Sequence, residues 1–260
     1  MRLRAKLKLP KEHGAWAMLF VPMAAGVLIA KSFSPQLLLF MLSATLLFIS
    51  RESLLVWLRA RSRGKKAPDA RQLLIIYLSA GLIPAAPLIL HYRLVALIPM
   101  ALAALTLAAF NVRGTVRFND RTAWGDSVAI LGLTITAPAA FYVASGRWDN
   151  LALLLWALSA MYFASSIYYV KLRVASVHAG QAADRRGCAR YHGFLLGSLV
   201  LMAYTGNLRW LTIAAFCPVL IRSFAQLIRP ASRVNLRRAG ILEIVYSLVF
   251  LFFITLTYRA

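Results

Sequence analysis

Pro10-Lys11-Glu12-His13-Gly14-Ala15-Trp16 leads into an apolar run that continues to Ala30. We interpret this run as a membrane-spanning helix, because about 20 residues of mainly apolar chain cross the hydrocarbon core of a bilayer. Its flanks, Lys11 and Lys31, do not resemble those of a cleaved signal peptide, so we expect the helix to be retained. Ionisable groups at its entrance are costly in lipid and usually face protein or a wet cavity.

Two interpretations of this entrance stay open. Lys11 and Trp16 are typical of an anchor at head-group level, and in that case Glu12 is solvated. The alternative places Glu12 and His13 in a functional site. It is favoured by three further carboxylates at a similar depth, which are Glu52, Asp126 and Glu243.

Composition favours a bilayer as the environment of the whole chain. Of its 260 residues 61% are hydrophobic, and the mean hydropathy is +0.70. A soluble domain contains roughly 45–50% apolar residues. The two cysteines, Cys188 and Cys217, lack partners at metal-ligand spacing, so we expect neither a zinc site nor a disulfide framework.

Long apolar segments predict an all-α polytopic membrane protein with about nine transmembrane helices in a single domain, 1–260. A weak internal similarity also predicts two four-helix repeats, 14–112 and 123–228, followed by a ninth helix. The predicted spans are 14–31, 35–58, 72–91, 93–112, 123–145, 150–171, 191–206, 209–228 and 240–258.

Basic residues are distributed unevenly between the two sides of this predicted bundle. They concentrate in 1–13, 59–71, 113–122, 172–190 and 229–239, whereas each opposite connection carries a single Lys or Arg. The positive-inside rule therefore predicts a cytoplasmic N-terminus and an external C-terminus.

The net charge of +22 would suggest nucleic acid as the partner of a soluble protein. Here the cations follow the membrane topology, and they also attract anionic lipid by about 1 kcal/mol per residue near the surface. We therefore expect the lipid bilayer as a partner and no nucleic acid. The oligomeric state stays open.

Polar residues from many predicted helices fall near the cytoplasmic side, and they predict a polar chamber that opens there. We expect the general acid or base to come from Glu12, His13, Glu52 and Glu243. Arginine forks match phosphate or carboxylate groups. The expected substrate-binding residues are Arg51, Asn111, Arg113, Asp126, Ser166, Tyr169, Lys171, Arg173, Arg222 and Tyr246.

A structural interpretation of these residues also stays open. An adjacent pair such as Arg51 and Glu52 can lock a bundle together, and Ser166 or Tyr169 can join helices by hydrogen bonds worth about 0.6 kcal/mol each. We favour a site, because a purely structural network would not need to cluster at one end.

Several segments resemble the YwiC-like family of bacterial membrane proteins, and the resemblance covers nearly the whole chain. They are Lys-Glu-His-Gly-Ala-Trp-Ala at 11–17, Ser50-Arg51-Glu52, the Leu-Arg after the sixth span, and Gly-Ile-Leu-Glu-Ile-Val-Tyr-Ser at 240–247. The resemblance implies a location in the bacterial cytoplasmic membrane.

The nine helices, the four-plus-four repeat and the long cytoplasmic loops are distantly similar to the UbiA prenyltransferase superfamily. That resemblance implies a UbiA-like bundle and an isoprenoid diphosphate held through Mg²⁺ by Asp-rich motifs. The corresponding positions here offer Arg51, Glu52, Lys171 and Arg173, so the usual magnesium motif is absent. Because Mg²⁺ prefers oxygen ligands such as carboxylates, we expect no cofactor, and Mg²⁺ stays open as the alternative.

The leading hypothesis is that the chamber binds an anionic or phosphorylated isoprenoid lipid. In one form of this hypothesis the protein is a transferase in which Arg and Lys replace the metal. Whether the chain is an enzyme stays open. The alternatives are a transporter or flippase for an anionic small molecule or lipid, and a noncatalytic accessory protein that uses its basic loops as docking surfaces.

Overall fold

The computed structural model describes residues 13–117, 123–175, 185–229 and 236–259. Within these ranges the chain forms ten α-helices and no strand. The helices are α1 (His13–Ala30), α2 (Pro35–Ser62), α3 (Pro68–Leu90), α4 (Leu97–Arg117), α5 (Ala123–Thr134), α6 (Thr136–Ser145), α7 (Asn150–Ala175), α8 (Arg185–Tyr204), α9 (Leu211–Ile228) and α10 (Leu236–Tyr258).

Each of the nine predicted spans coincides with helical structure, which confirms the all-helical fold class. Within the part of the chain that the structure describes, seven helical segments are long and apolar enough to cross a membrane, and the chain is a multi-pass integral membrane protein. Some helices continue past the predicted bounds, as α2 does to Ser62 and α4 to Arg117. Helical hydrogen bonding extends into the polar interface, whereas an apolar pattern ends with the hydrocarbon.

The outer surface of the bundle is apolar. Large hydrophobic side chains such as Ile83, Leu105, Phe110 and Phe194 are exposed on α3, α4 and α8. Soluble proteins rarely expose apolar patches of more than a few hundred Å². Lipid is the environment that suits this surface.

The centre of the bundle is formed by α1 and α6, which supply residues to both hydrophobic clusters of the core. Nine consecutive residues of α6, 136–144, are buried, as expected for a helix surrounded by protein. A Cβ at Gly26 of α1 would overlap the carbonyl oxygen of Ala137 and lie 2.8 Å from the amide nitrogen of Phe141. Glycine therefore permits the close approach of these two helices.

The predicted span 123–145 is broken into two helices, α5 and α6, at Ile135. Pro138 has no N–H to donate to the carbonyl four residues earlier, and its ring crowds that carbonyl. The hydroxyl of Thr136 lies 2.9 Å from two carbonyl oxygens, that of Leu133 at the break and that of Leu19 on α1. Freed backbone groups at membrane depth are tolerated where protein surrounds them in this way.

Short turns join the helices at one end of the bundle, after α1, α3, α6 and α8. Gly146 closes α6 with φ 68°, a left-handed conformation that glycine adopts without strain. The other end holds the C-terminal parts of α2, α4, α7 and α9 and the N-terminal parts of α5, α8 and α10. We call it the polar end, for the contacts described next.

Candidate functional site

Arg51 on α2 is the centre of one group of polar contacts at the polar end. Its Nη1 donates to Oε1 of Glu52 over 3.1 Å, and its Nη2 donates to Oδ1 of Asn111 on α4 over 2.7 Å. The amide of Asn111 in turn donates to the carbonyl of Gly125 on α5 over 2.8 Å. These contacts link three helices through one guanidinium group.

The next residue on α5 extends this group to α7. Asp126 Oδ2 lies 2.7 Å from Lys171 Nζ, and Arg51 is close enough to Asp126 to interact with it electrostatically. The Arg51 cluster is therefore Arg51, Glu52, Asn111, Asp126 and Lys171, and its four charged groups comprise two cations and two carboxylates.

Arg222 on α9 is the centre of a second group. It forms an ion pair with Glu243 on α10, and its Nη2 donates to Ser166 Oγ on α7 over 3.0 Å. Its guanidinium carbon lies 4.4 Å from the ring centre of Tyr169 and 5.1 Å from that of Tyr246. A charge with only 8% of its side chain exposed requires such partners, since an unpaired buried charge is strongly destabilising.

Arg173 joins this second group from α7. It donates to the hydroxyl of Tyr169, and its guanidinium carbon lies 5.8 Å from the centre of that ring. The Arg222 cluster is Ser166, Tyr169, Arg173, Arg222, Glu243 and Tyr246.

Helix α7 connects the two clusters because it presents a different face to each. Ser166, Tyr169 and Arg173 follow the i, i+3, i+7 spacing of one helix face. Lys171 lies on another face, opposite α5, where Asp126 pairs with it. One helix therefore carries residues of both clusters within about two turns.

Eleven of the fourteen predicted site residues belong to one cluster or the other. Arg113 is exposed, and the contacts described for the two clusters do not include it. His13 begins α1, and Glu12 lies outside the described residues. The structure does not test the predicted role of any of the fourteen residues, and all of these roles stay predictions.

The three carboxylates of the clusters each contact a cation: Glu52 contacts Arg51, Asp126 contacts Lys171, and Glu243 contacts Arg222. This arrangement does not fit a magnesium ion, which needs carboxylate oxygens for itself. Within the described ranges no three His, Cys, Asp or Glu side chains are grouped so as to hold a metal ion.

A concavity of about 510 Å³ lies far from both clusters, near the start of α7 and the turn between α8 and α9. Its lining has no titratable side chain and comprises Asn150, Leu151, Leu153, Leu154, Ala157 and Asn207. We place the candidate chemistry at the polar end, where the charged groups are.

A third polar group, between α7 and α8, was missed as a site by sequence reasoning. Ser165 Oγ lies 2.9 Å from His192 Nε2, and His192 Nδ1 lies 2.8 Å from the carbonyl oxygen of Cys188. All three residues are buried. The sequence marks His192 as a polar residue in an apolar span, but no spacing rule connects it with Ser165.

Comparison with known proteins gives the family. The family model described as "YwiC-like protein" matches residues 9–141, a range that includes the α2, α4 and α5 residues of the Arg51 cluster. A Haemophilus influenzae protein described as "Uncharacterized protein" is 23% identical over 245 residues, covering 94% of this chain and 96% of its own length. No solved structure matches the chain, so a UbiA-like bundle stays a prediction. The chain belongs to the YwiC-like family.

Proposed function

We propose that the polar end of this membrane protein binds the anionic head group of a lipid, either a phospholipid or a phosphorylated isoprenoid. The observation that carries the proposal is the charge at that end. The two clusters together hold three carboxylates, Glu52, Asp126 and Glu243, and four cations, Arg51, Lys171, Arg173 and Arg222. Further Arg and Lys residues, among them Arg59 and Arg113, add to the positive charge at the same end.

The proposed orientation places this end at the cytoplasmic face of the bacterial inner membrane, with the N-terminus inside and the C-terminus outside. It is supported by the basic residues that follow α2 and flank α8 and α9. Anionic head groups are available at that surface, and an acyl or isoprenoid tail can lie along the exposed apolar side chains of the bundle.

The clusters also suit a transfer reaction on a phosphorylated lipid. Arg51, Lys171 and Arg222 would stabilise the negative charge that develops on a leaving phosphate. A phosphate that takes the place of Glu52 or Glu243 on its arginine leaves that carboxylate available to accept a proton. The guanidinium groups supply the positive charge in this proposal, with no metal in any step.

The test is native mass spectrometry of the protein purified in mild detergent, before and after substitution. We expect a polyprenyl phosphate or a phospholipid to remain bound, and to be lost in the double variant Arg51→Ala/Arg173→Ala. The matched control is Arg147→Ala/Arg259→Ala, which removes the same charge from exposed positions at the other end. Equal lipid retention by the two double variants would contradict the proposal.

The second candidate function is transport of an anion, and the break between α5 and α6 favours it. Discontinuous helices near mid-membrane are typical of transporters, in which they form substrate and ion sites. The polar groups described here lie at one end instead, which is why we place transport second. Flux of an inorganic or organic anion into protein-containing liposomes, abolished by Glu52→Gln, would support transport over lipid binding.

A further inference from the structure

The Ser165–His192 contact has the geometry of a nucleophile and its base. The carbonyl of Cys188 can only accept a hydrogen bond, so His192 Nδ1 must carry a proton and donate it there. In the neutral imidazole Nε2 is then a free base, and Ser165 donates its hydroxyl proton to it over 2.9 Å. A serine, a base and a group that orients the base are the parts of an activated nucleophile.

A purely structural role would be a hydrogen bond between α7 and α8, and such bonds are common in membrane bundles. The second hydrogen bond of the imidazole argues for more. A contact between helices needs only the Ser165–His192 bond, whereas the bond from Nδ1 to the Cys188 carbonyl also fixes the tautomer and the orientation of the ring. That is the part which an orienting group plays for a catalytic base.

We propose that Ser165 and His192 form a catalytic dyad that cleaves an ester of a membrane lipid. Ser165 Oγ attacks the ester carbonyl carbon while its proton passes to His192 Nε2. The carbon–oxygen bond to the alcohol then breaks, and the alkoxide takes the proton from Nε2. Water or the hydroxyl of a second lipid removes the acyl group from Ser165 by the reverse sequence, which regenerates the dyad.

The lipid class follows from the neighbour of Ser165. Ser166 bonds to Arg222 of the Arg222 cluster, and Arg222 is close enough to His192 to interact with it electrostatically. A head-group phosphate on Arg222 would bring the glycerol esters of the same molecule near Ser165. A glycerophospholipid is therefore the proposed substrate, and this choice alone rests on the proposed head-group binding.

Access to the dyad requires α9 to move away from α8, because Ser165 and His192 are both completely buried and a movement of α8 off α7 would separate them. Among the described helices α8 packs mainly on α7 and α9, and the ring of Phe224 on α9 lies 6.4 Å from the ring of His192. At the start of α8 Arg185 donates to the carbonyl of Leu227 on α9. That contact fastens α9 to α8, and its release would open a path to the dyad while α7 and α8 stay together.

The experiment is labelling with an alkyl fluorophosphonate, with the full chain in phosphatidylglycerol liposomes and the labelled residue mapped by peptide mass spectrometry. A phosphorus–oxygen bond forms to the reactive serine, and fluoride leaves. We expect the adduct on Ser165 and none on Ser166, with the rate lowered on the order of a hundredfold by His192→Gln, as expected for loss of a general base. Ser159→Ala, a buried serine on the same helix that belongs to neither cluster, should label as the unsubstituted chain does.

Labelling that is absent from Ser165, or that proceeds equally in His192→Gln, would overturn the dyad. The thermal unfolding temperature of each variant shows whether the chain is folded, and the mapping on the unsubstituted chain needs no variant. The head-group proposal fails separately. In that case Ser165 still labels, but Arg51→Ala/Arg173→Ala retains as much lipid as its control.

Discussion

Arg222 and Glu243 form an ion pair inside the bundle, and each needs the other as its partner of opposite charge. Removing one of the two should therefore lower the stability of the protein. In Glu243→Ala the guanidinium of Arg222 stays buried without its carboxylate. Breaking a buried pair in this way costs about 3–5 kcal/mol. We expect the double variant Arg222→Met/Glu243→Leu to recover most of that loss, because it leaves no buried charge behind.

The measurement for this pair is the free energy of unfolding in detergent. It is obtained from a denaturant titration that is monitored by circular dichroism. Asp69→Ala is a suitable control, since it removes an exposed carboxylate from the first turn of α3, where its loss costs about 0.3–1 kcal/mol. If Glu243→Ala were as stable as this control, the ion pair would not hold α9 to α10.

For single residues, the sequence shows which side chains share a helix face but not which ones contact each other. The spacing of Ser166, Tyr169 and Arg173 on α7 predicts that they share a face. That Arg222 reaches this face, while Ser165 faces His192, depends on how α7 is rotated against α8 and α9. Helix periodicity says nothing of that rotation.

Gly26 controls how closely α1 approaches α6, and the substitution Gly26→Ala tests it. The added Cβ would overlap the backbone of α6, at Ala137 and Phe141, which cannot move aside as a flexible side chain would. We expect a loss of about 1–3 kcal/mol, the usual cost of overpacking a core. The unfolding titration of the purified protein measures it.

Gly14→Ala is the matched control on the same helix, because nothing lies within 4 Å of a Cβ placed there. We expect it to be neutral or slightly stabilising, since alanine favours a helix more than glycine does. Equal effects of the two substitutions would mean that α1 and α6 do not meet as tightly as described.

Apolar length predicts the spans well but overlooks the break in one of them. The window Gly125–Ser145 has a mean hydropathy of 1.7 although Thr134 and Thr136 flank Ile135, so hydropathy treats it as one helix. Pro138 is the signal in the sequence, yet α3 continues through Pro84 and Pro87 without a break. Whether a proline ends a membrane helix depends on groups that can satisfy the freed carbonyls. Here the hydroxyl of Thr136 lies 2.9 Å from the carbonyl oxygen of Leu133 at the break.

The orientation of the whole molecule can be tested with single cysteines that change no charge. In a chain with Cys188 and Cys217 replaced by alanine, Ser62→Cys lies at the polar end and Asn207→Cys in the turn after α8; both positions are exposed. We expect a membrane-impermeant maleimide to label position 207 in intact cells, and position 62 only after permeabilisation. The reverse pattern would place the C-terminus inside.

The predicted four-helix repeats stay a prediction, but the polar contacts follow the pattern that repeats would produce. Arg51 and Asn111 join the second and fourth spans of the first half. Ser166 and Arg222 join the second and fourth spans of the second half. The arginine lies on the second span in one case and on the fourth in the other, so the two halves are related in arrangement rather than residue by residue.

The close packing of α1 against α6 also has a consequence for how the protein is made. Nascent α1 leaves the ribosome long before α6, because α2, α3, α4 and α5 are synthesised between them. During that interval the surface of α1 around Gly26, which later contacts α6, faces lipid or a chaperone. A chain that stops after α4 would leave this surface uncovered and lack the centre of its core. We therefore expect quality-control proteases to degrade such a chain. Synthesis of α6 is the point after which the bundle can close.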